Sequence, residues 1–119
     1  MTDLIQAAPQ PRVPVRGGAT FPVRRIYCVG RNFADHAREM GATAPASKAD
    51  RGQPVFFLKP ADAVVINGAD IPYPPGTQDL HHEVELVVAI GQDAPSGVLP
   101  LAQVHSLVIA YGVGLDLTR

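Results

Sequence analysis

One stretch decides the fold of this chain, and it reads His81-His82-Glu83-Val84-Glu85-Leu86-Val87-Val88-Ala89-Ile90-Gly91. Its valines, leucine and isoleucine fall on both alternations, which is typical of a strand buried on both faces. Because residues i and i+2 of a strand point to the same side, Glu83 and Glu85 project together from that surface. Two close carboxylates there repel each other and lose hydration, and a divalent cation between them would offset both effects. The alternative is an exposed edge strand with its carboxylates in water.

A third acid stands in the last apolar run of the chain. Asp116 lies in the segment Tyr111–Leu117, among valine, leucine and glycine. Three carboxylates without a cysteine make an all-oxygen ligand set, which suits Mg²⁺, Mn²⁺ or Ca²⁺. His81 and His82 adjoin the glutamates and keep zinc as a minor alternative. The simpler interpretation of His81 is a loop residue at the entrance to the strand.

Composition limits the class of protein. The chain has 119 residues, a net charge of −1 and a pI near 6.4, so it has the size of one ordinary domain and lacks the basic excess of nucleic-acid-binding surfaces. A single cysteine, Cys28, excludes a disulfide within the chain and favours a reducing, cytoplasmic location. No apolar stretch has the length of a membrane span, and no signal-peptide pattern is visible. We therefore expect no nucleic-acid partner and no membrane contact.

The 12 prolines and 11 glycines divide the chain into short pieces, as turn-rich β folds require. Residues 1–24 carry several of these prolines and are predicted to form an extended arm. The rest, 25–119, is predicted to be the folded part, with a mobile loop at 42–53 and a tight turn at Asn67-Gly68. The predicted strands are 24–29, 55–58, 63–66, 80–90 and 106–117, with a helix at 32–40 and a helical turn at 101–104.

The predicted helix carries a second group of functional residues. Asn32 is suited to cap its start, and Gly41 is a natural stop. His36 and Glu39 are three residues apart, so they are neighbours on one helix face. A carboxylate beside an imidazole can orient the ring and raise its basicity, which makes a general base for water. The alternative is a His–Glu contact on a solvated helix surface.

Four segments of the sequence, in register, together resemble the fumarylacetoacetate hydrolase family. The resemblance runs from about Arg25 to the last residue. Within the family, the chain looks like the short bacterial enzymes that act on fumarylpyruvate and related acylpyruvates. The segments that carry it are Cys28–Met40, Phe56–Pro60, His82–Leu86 and Leu115–Thr118.

The resemblance implies an α+β fold, a mixed and mainly β roll or sandwich with short helices, assembled as a homodimer when full length. It also implies roles for eight residues. The implied ligands of Mg²⁺ or Mn²⁺, with Ca²⁺ as a further option, are Glu83, Glu85 and Asp116; the implied catalytic dyad on a mobile lid is His36 and Glu39; the implied substrate-binding residues are Arg31, Asn32 and Lys59.

The activity implied by the resemblance is metal-dependent hydrolysis of a C–C bond in β-diketo acids, a reaction of aromatic catabolism. Two alternatives stay open: decarboxylation or keto–enol isomerisation of a 2-oxo acid on the same scaffold, and a metal-binding module without catalysis. Because family members are about twice as long, we expect residues 25–119 to be the N-terminal half of a catalytic domain, truncated here. Strands left without their neighbours would then have unpaired edges.

Overall fold

The structure, a computed structural model, describes residues 2–39, 41–66 and 68–119, and it does not describe the side chain of His36. In this part of the chain it contains six strands and two short α-helices, together with three short 3-10 helices. The chain divides into two compact units, Met1–Ile71 and Pro72–Arg119. Each unit is built around antiparallel two-stranded ladders.

The first unit begins with a small hairpin. Strand β1 (Arg12–Pro14) pairs with β2 (Thr20–Pro22), and the turn between them contains Gly17 and Gly18, whose φ angles of 98° and 92° suit glycine. The predicted arm at residues 1–24 therefore contains folded structure that its prolines did not indicate. The division of the chain at residue 24 stays a prediction.

The second ladder of this unit joins β3 (Ile26–Gly30) to β4 (Val55–Lys59), close to the predicted 24–29 and 55–58. Its register runs from the pair of Ile26 with Lys59 to the pair of Gly30 with Val55. The residues that follow β3 thus leave the ladder at one end, and Lys59 lies at the other.

Helix α1 (Ala34–Glu39) follows β3. It begins two residues after the predicted start, so Phe33 and not the predicted cap Asn32 directly precedes it, but it ends as the sequence predicts. The Gly41 N–H donates to the carbonyl of Arg38 at 2.9 Å, and the Ala42 N–H donates to the carbonyl of Ala37 at 2.8 Å. This pair of bonds is a Schellman motif, and Gly41 has the φ of 73° that it requires. Gly41 is therefore confirmed as the helix stop.

The second unit is a long antiparallel pair. Strand β5 (His81–Ile90) pairs with β6 (Val108–Thr118), with a register shift between Ala89 and Ile90. The connection contains α2 (Leu101–Val104), as predicted, and a 3-10 turn. Both long strands thus form close to their predicted positions, 80–90 and 106–117.

The predicted burial of β5 on both faces is wrong for this structure. Val84 and Leu86 are 64% and 61% exposed, and Val113 and Leu115 on β6 are 79% and 63% exposed. Within the described residues, β5 and β6 form a sheet of two strands, so each strand has one hydrogen-bonded neighbour and not the packed surroundings of a central strand. Among the described residues, the buried apolar side chains are Val23 and Ala37.

The predicted strand at 63–66 is also wrong. A 3-10 helix occupies Ala61–Ala63, and the Ala63 N–H donates to the carbonyl of Pro60 at 3.1 Å. Pro60 is still extended, with a ψ of 144°, and the chain turns at the residues that follow it, so no strand starts at Ala63. The predicted turn at Asn67-Gly68 lies partly outside the described residues, because Asn67 is not among them, and a 3-10 turn at Lys48–Asp50 interrupts the predicted loop 42–53. The helices found in the described ranges are six residues long at most, far too short to span a bilayer.

Candidate active site

The three predicted metal ligands lie on one face of the β5–β6 sheet. Glu83 is directly opposite Asp116, and Glu85, two residues further on the same face, is opposite Gly114. Directly opposed Cα atoms in an antiparallel pair are about 4.5–5.5 Å apart, and diagonal neighbours are about 7–8 Å apart. The register therefore places all three carboxylates in one patch, which we call the carboxylate face.

Burial distinguishes this face from the opposite one. Glu83, Glu85 and Asp116 are half-buried, whereas Val84 and Leu115, next to them in sequence, point the other way and are exposed. An ordinary antiparallel sheet shows the reverse, with apolar side chains on its covered side. Carboxylates held on the more covered side of a sheet lose part of their hydration, so a cation gains more by binding them.

The chemistry of these side chains fits a hard cation better than zinc. All three donors are carboxylate oxygens, the type that Mg²⁺, Mn²⁺ and Ca²⁺ prefer. Nε2 of His81 lies 3.0 Å from Oδ1 of Asp79, and His81 is the first residue of β5. His82 lies on the opposite face from Glu83 because side chains alternate along β5.

The side-chain rotamers of the three acids do not form a closed metal site in this structure. Within the described residues, no group of three His, Cys, Asp or Glu side chains is arranged to hold a metal ion. The backbone positions of the three acids are adjacent nonetheless, so rotation about side-chain bonds is the change that would bring their oxygens together. The assignment of Glu83, Glu85 and Asp116 as ligands stays a prediction.

Helix α1 carries the predicted dyad. His36 and Glu39 both lie within it and, being three residues apart, share one helix face. The His36 side chain is outside the described part of the structure, and Glu39 is exposed. Asp35 and Arg38 form an ion pair on the same short helix. The helix thus provides the spacing that the dyad needs, and the His36–Glu39 contact itself stays a prediction.

The predicted substrate-binding residues occupy two ends of the β3–β4 ladder. Arg31 follows β3 directly, with Asn32 leading into α1, while Lys59 lies opposite Ile26 at the far end. Five residue steps separate these ends, roughly 17 Å along a strand. The backbone therefore does not bring Arg31 and Lys59 together, and only their long side chains could approach one ligand.

Arg31 has an unusual backbone conformation. Its φ is 54°, in the left-handed region, and among the non-glycine residues of the described ranges this is true of Arg31 alone. This conformation costs an L-residue about 1–2 kcal/mol, and such strain is concentrated at ligand-binding and catalytic sites. The sequence placed Arg31 among the substrate-binding candidates but gave no sign of its strain.

Sequence reasoning missed two residues next to the carboxylates. Val87 follows Glu85 on the same face, and Gly114 is the cross-strand partner of Glu85. A Cβ added to Gly114 would lie 2.9 Å from Cγ2 of Val87, so these two positions are tightly packed. The alternation of residues along each strand was the available signal, but the register between strands was needed to see that they meet.

Known proteins show which family this sequence and this fold belong to. The family model described as "Fumarylacetoacetate (FAA) hydrolase C-terminal" matches residues 25–119. The chain belongs to the fumarylacetoacetate hydrolase family. Its strand-rich structure with few helices also resembles the fold of solved relatives. A fumarylpyruvate hydrolase from Pseudomonas aeruginosa, solved in complex with Mn²⁺ and pyruvate, has a TM-score of 0.81 and 44% identity, over 98% of this chain and 49% of that chain.

Other relatives in this family differ in the activity they are named for. A protein from Burkholderia cenocepacia, assigned as a fumarylpyruvate hydrolase, is 50% identical with a TM-score of 0.78, over 99% of this chain and 47% of its own. A mitochondrial oxaloacetate tautomerase of Arabidopsis thaliana is 42% identical over 79% of this chain and 39% of its own length. An oxaloacetate tautomerase of Escherichia coli strain K12 is 37% identical over 82% of this chain and 41% of its own length.

The chain spans about two fifths of the length of the curated relatives it matches and just under half of the solved chains. The family and the type of fold follow from these matches. The cytoplasmic location stays a prediction, since one of these relatives is described as mitochondrial.

Proposed function

We propose that the whole protein is a metal-dependent hydrolase that cleaves a C–C bond in a β-diketo acid of the acylpyruvate class, such as fumarylpyruvate. The observation that carries the proposal is the half-buried patch in which Glu83 opposes Asp116 and Glu85 lies beside them. Identities of 44% to a fumarylpyruvate hydrolase and 50% to a protein assigned as one support hydrolysis as the reaction. The reaction would belong to aromatic catabolism, and a homodimer is the assembly we expect.

Glu83, Glu85 and Asp116 would hold one divalent cation, Mg²⁺ or Mn²⁺, through carboxylate oxygens. When bound, such an ion supplies positive charge that stabilises negative charge developing on a substrate oxygen. The surrounding half-burial strengthens this effect, because fewer waters compete for the charge.

His36 and Glu39 would supply the nucleophile. In this scheme the imidazole of His36 takes a proton from water, and Glu39 holds the ring in place and stabilises its positive charge. The hydroxide formed adds to the distal carbonyl carbon. The bond from that carbon to the neighbouring methylene carbon then breaks, its electron pair passes to the enolate of pyruvate, and the methylene carbon takes up a proton.

Arg31, Asn32 and Lys59 would bind the anionic ends of the substrate. Guanidinium and ammonium groups make strong charge-assisted hydrogen bonds to carboxylates. The strained conformation of Arg31 supports a role of this kind, because strain persists where a ligand contact requires a fixed geometry.

Keto–enol tautomerisation of a 2-oxo diacid such as oxaloacetate is the second candidate. Identities of 42% and 37% to two oxaloacetate tautomerases favour it. The same carboxylates would serve, but the base would move a proton on the carbon next to the keto group, and no water would add.

The test follows two products in the whole protein loaded with Mn²⁺. With an acylpyruvate, loss of diketo absorbance together with release of one pyruvate per substrate supports hydrolysis. With oxaloacetate, interconversion of the enol and keto forms without pyruvate release supports tautomerisation. The active protein is compared with Glu83→Gln and with the matched control Asp62→Asn, which neutralises an exposed carboxylate outside the β5–β6 sheet.

Loss of activity in Glu83→Gln, with activity retained in Asp62→Asn, is the expected outcome. Equal activity in both variants would contradict the role of the carboxylate patch. If the metal-loaded protein catalyses neither hydrolysis nor tautomerisation, this result would contradict the proposed enzyme and favour a metal-binding module.

A further inference from the structure

Val87 occupies a notch in the carboxylate face that two glycines leave open. An added Cβ at Gly112 would lie 3.8 Å from Cβ of Val87, and an added Cβ at Gly114 would lie 2.9 Å from its Cγ2. The first separation is ordinary contact, whereas real Cβ atoms essentially never approach as closely as the second. The side chain of Val87 therefore reaches diagonally across the ladder into space that only glycine at position 114 provides.

The same glycine completes the patch of acids. Glu83 and Asp116 form one cross-strand pair, and Glu85 and Gly114 form the next pair on the same face. Three corners of this patch carry carboxylates, and the fourth carries no side chain. A change at residue 114 is thus felt both by Val87 and by the strand segment that positions Glu85.

We infer that Gly114 is a positioning residue for the proposed metal site. Because residue 114 has no side chain, Val87 fits into the notch, and β5 can hold Glu85 close to Asp116 on the facing strand. This inference rests on the proposed function, because it assigns a geometric task within the same carboxylate patch. Ligands must be held within about 0.5 Å of their productive positions, so a small displacement of β5 is enough to weaken binding.

The strand has few ways to absorb a side chain at this position. Val87 is branched at Cβ, so its χ1 angle has few favourable values, and turning this 47% exposed side chain to another of them costs energy. The new contact is otherwise relieved by the backbone of β5 between Glu85 and Val87, or by local separation of the two strands. Either backbone movement changes the distance from the Glu85 carboxylate to Asp116.

The chain offers a matched control for this effect. Gly112 and Gly114 lie on the same strand and face, two residues apart, and neither has a φ in the left-handed region. Alanine is therefore compatible with the backbone at both sites. The two substitutions differ in the contact that the new Cβ makes with Val87, which is ordinary at position 112 and too close at position 114.

The experiment measures the Kd for Mn²⁺ in the whole protein by electron paramagnetic resonance of the free ion, without substrate. Gly114→Ala should weaken Mn²⁺ binding by about 10–100-fold, the range typical of losing a supporting contact around a metal site. Gly112→Ala should leave the Kd unchanged within error. The double variant Gly114→Ala with Val87→Ala should regain most of the lost affinity, because it removes the methyl group that the new Cβ meets.

Circular dichroism of each variant establishes that it is folded. If Gly114→Ala does not fold, Val87→Ile replaces it, since it crowds the same notch while leaving Gly114 intact, and it should also raise the Kd. Equal Kd values for Gly114→Ala, Gly112→Ala and the unchanged protein, or failure of the double variant to regain affinity, would overturn the inference alone. An unchanged protein that binds no Mn²⁺ would overturn the proposed metal site itself, and the inference with it.

Discussion

Neutralising Glu85 should have opposite effects on stability without and with metal. Glu85 shares the carboxylate face with Glu83, two residues away, and with Asp116, diagonally across the ladder. Without a cation, Glu85→Gln removes repulsion between like charges while keeping the size and shape of the side chain. With a cation, the same change removes a ligand.

The structure sets the size of both effects. Each of the two neighbouring charges is about 7 Å from Glu85 by strand geometry, and two such repulsions in a water-like medium sum to roughly 1 kcal/mol. Salt at about 0.15 M reduces this by more than half, because the Debye length is then about 8 Å. Metal present at about 100 times its Kd stabilises the unchanged protein by about 2.7 kcal/mol and should add much less to the variant.

The assay is urea unfolding of the whole protein at low salt, with chelator and then with Mn²⁺. Glu85→Gln should be more stable than the unchanged protein by roughly 1 kcal/mol in chelator and less stable by about 1–2 kcal/mol in Mn²⁺. Asp62→Asn serves as the control and should show no reversal. A variant that is destabilised equally in both conditions would refute the reasoning, because the loss would then come from packing and not from charge.

Two further changes separate the roles of the other residues. His36→Ala should lower kcat by about 10²–10⁴-fold while the Kd for Mn²⁺ stays unchanged, and Glu39→Gln should lower kcat less; steady-state kinetics and metal titration measure these, and full activity in His36→Ala would contradict the dyad. Arg31→Gly should relieve the left-handed strain and raise the free energy of unfolding by roughly 0.5–1 kcal/mol, after the entropy of glycine is subtracted. The same variant should raise KM for the oxo acid, and a lower KM would count against substrate binding by Arg31.

The sequence was most informative where local chemistry alone sets the structure. Gly41 ends α1 because a Schellman motif needs a left-handed residue there, and this requirement is visible in one letter. The apolar runs that became β5 and β6 are long enough to be recognised without knowing their partners. The carboxylate pair of Glu83 and Glu85 follows from alternation along a single strand.

Other features depend on contacts that a linear pattern does not contain. The face that Asp116 shares with Glu83 depends on register, and a shift of one residue would have placed it on the other side. The hairpin of β1 and β2 was hidden because its prolines suggested an extended arm, although Gly17 and Gly18 provide the turn. The strain of Arg31 has no counterpart in composition or periodicity.

The error about burial of β5 has a physical meaning for the site. A run such as Leu86–Ile90, apolar on both alternations, is favourable only when both faces of the strand are covered. In this structure the three carboxylates are half-buried, whereas Val84 and Leu86 on the opposite face are exposed. Anything that covers this apolar face in the whole protein would fix the sheet and its register, and would therefore narrow the spread of distances among the three acids. Covering the apolar face would thus order the three acids and raise their affinity for a cation. Metal binding should therefore depend on the integrity of the fold as much as on the three ligands.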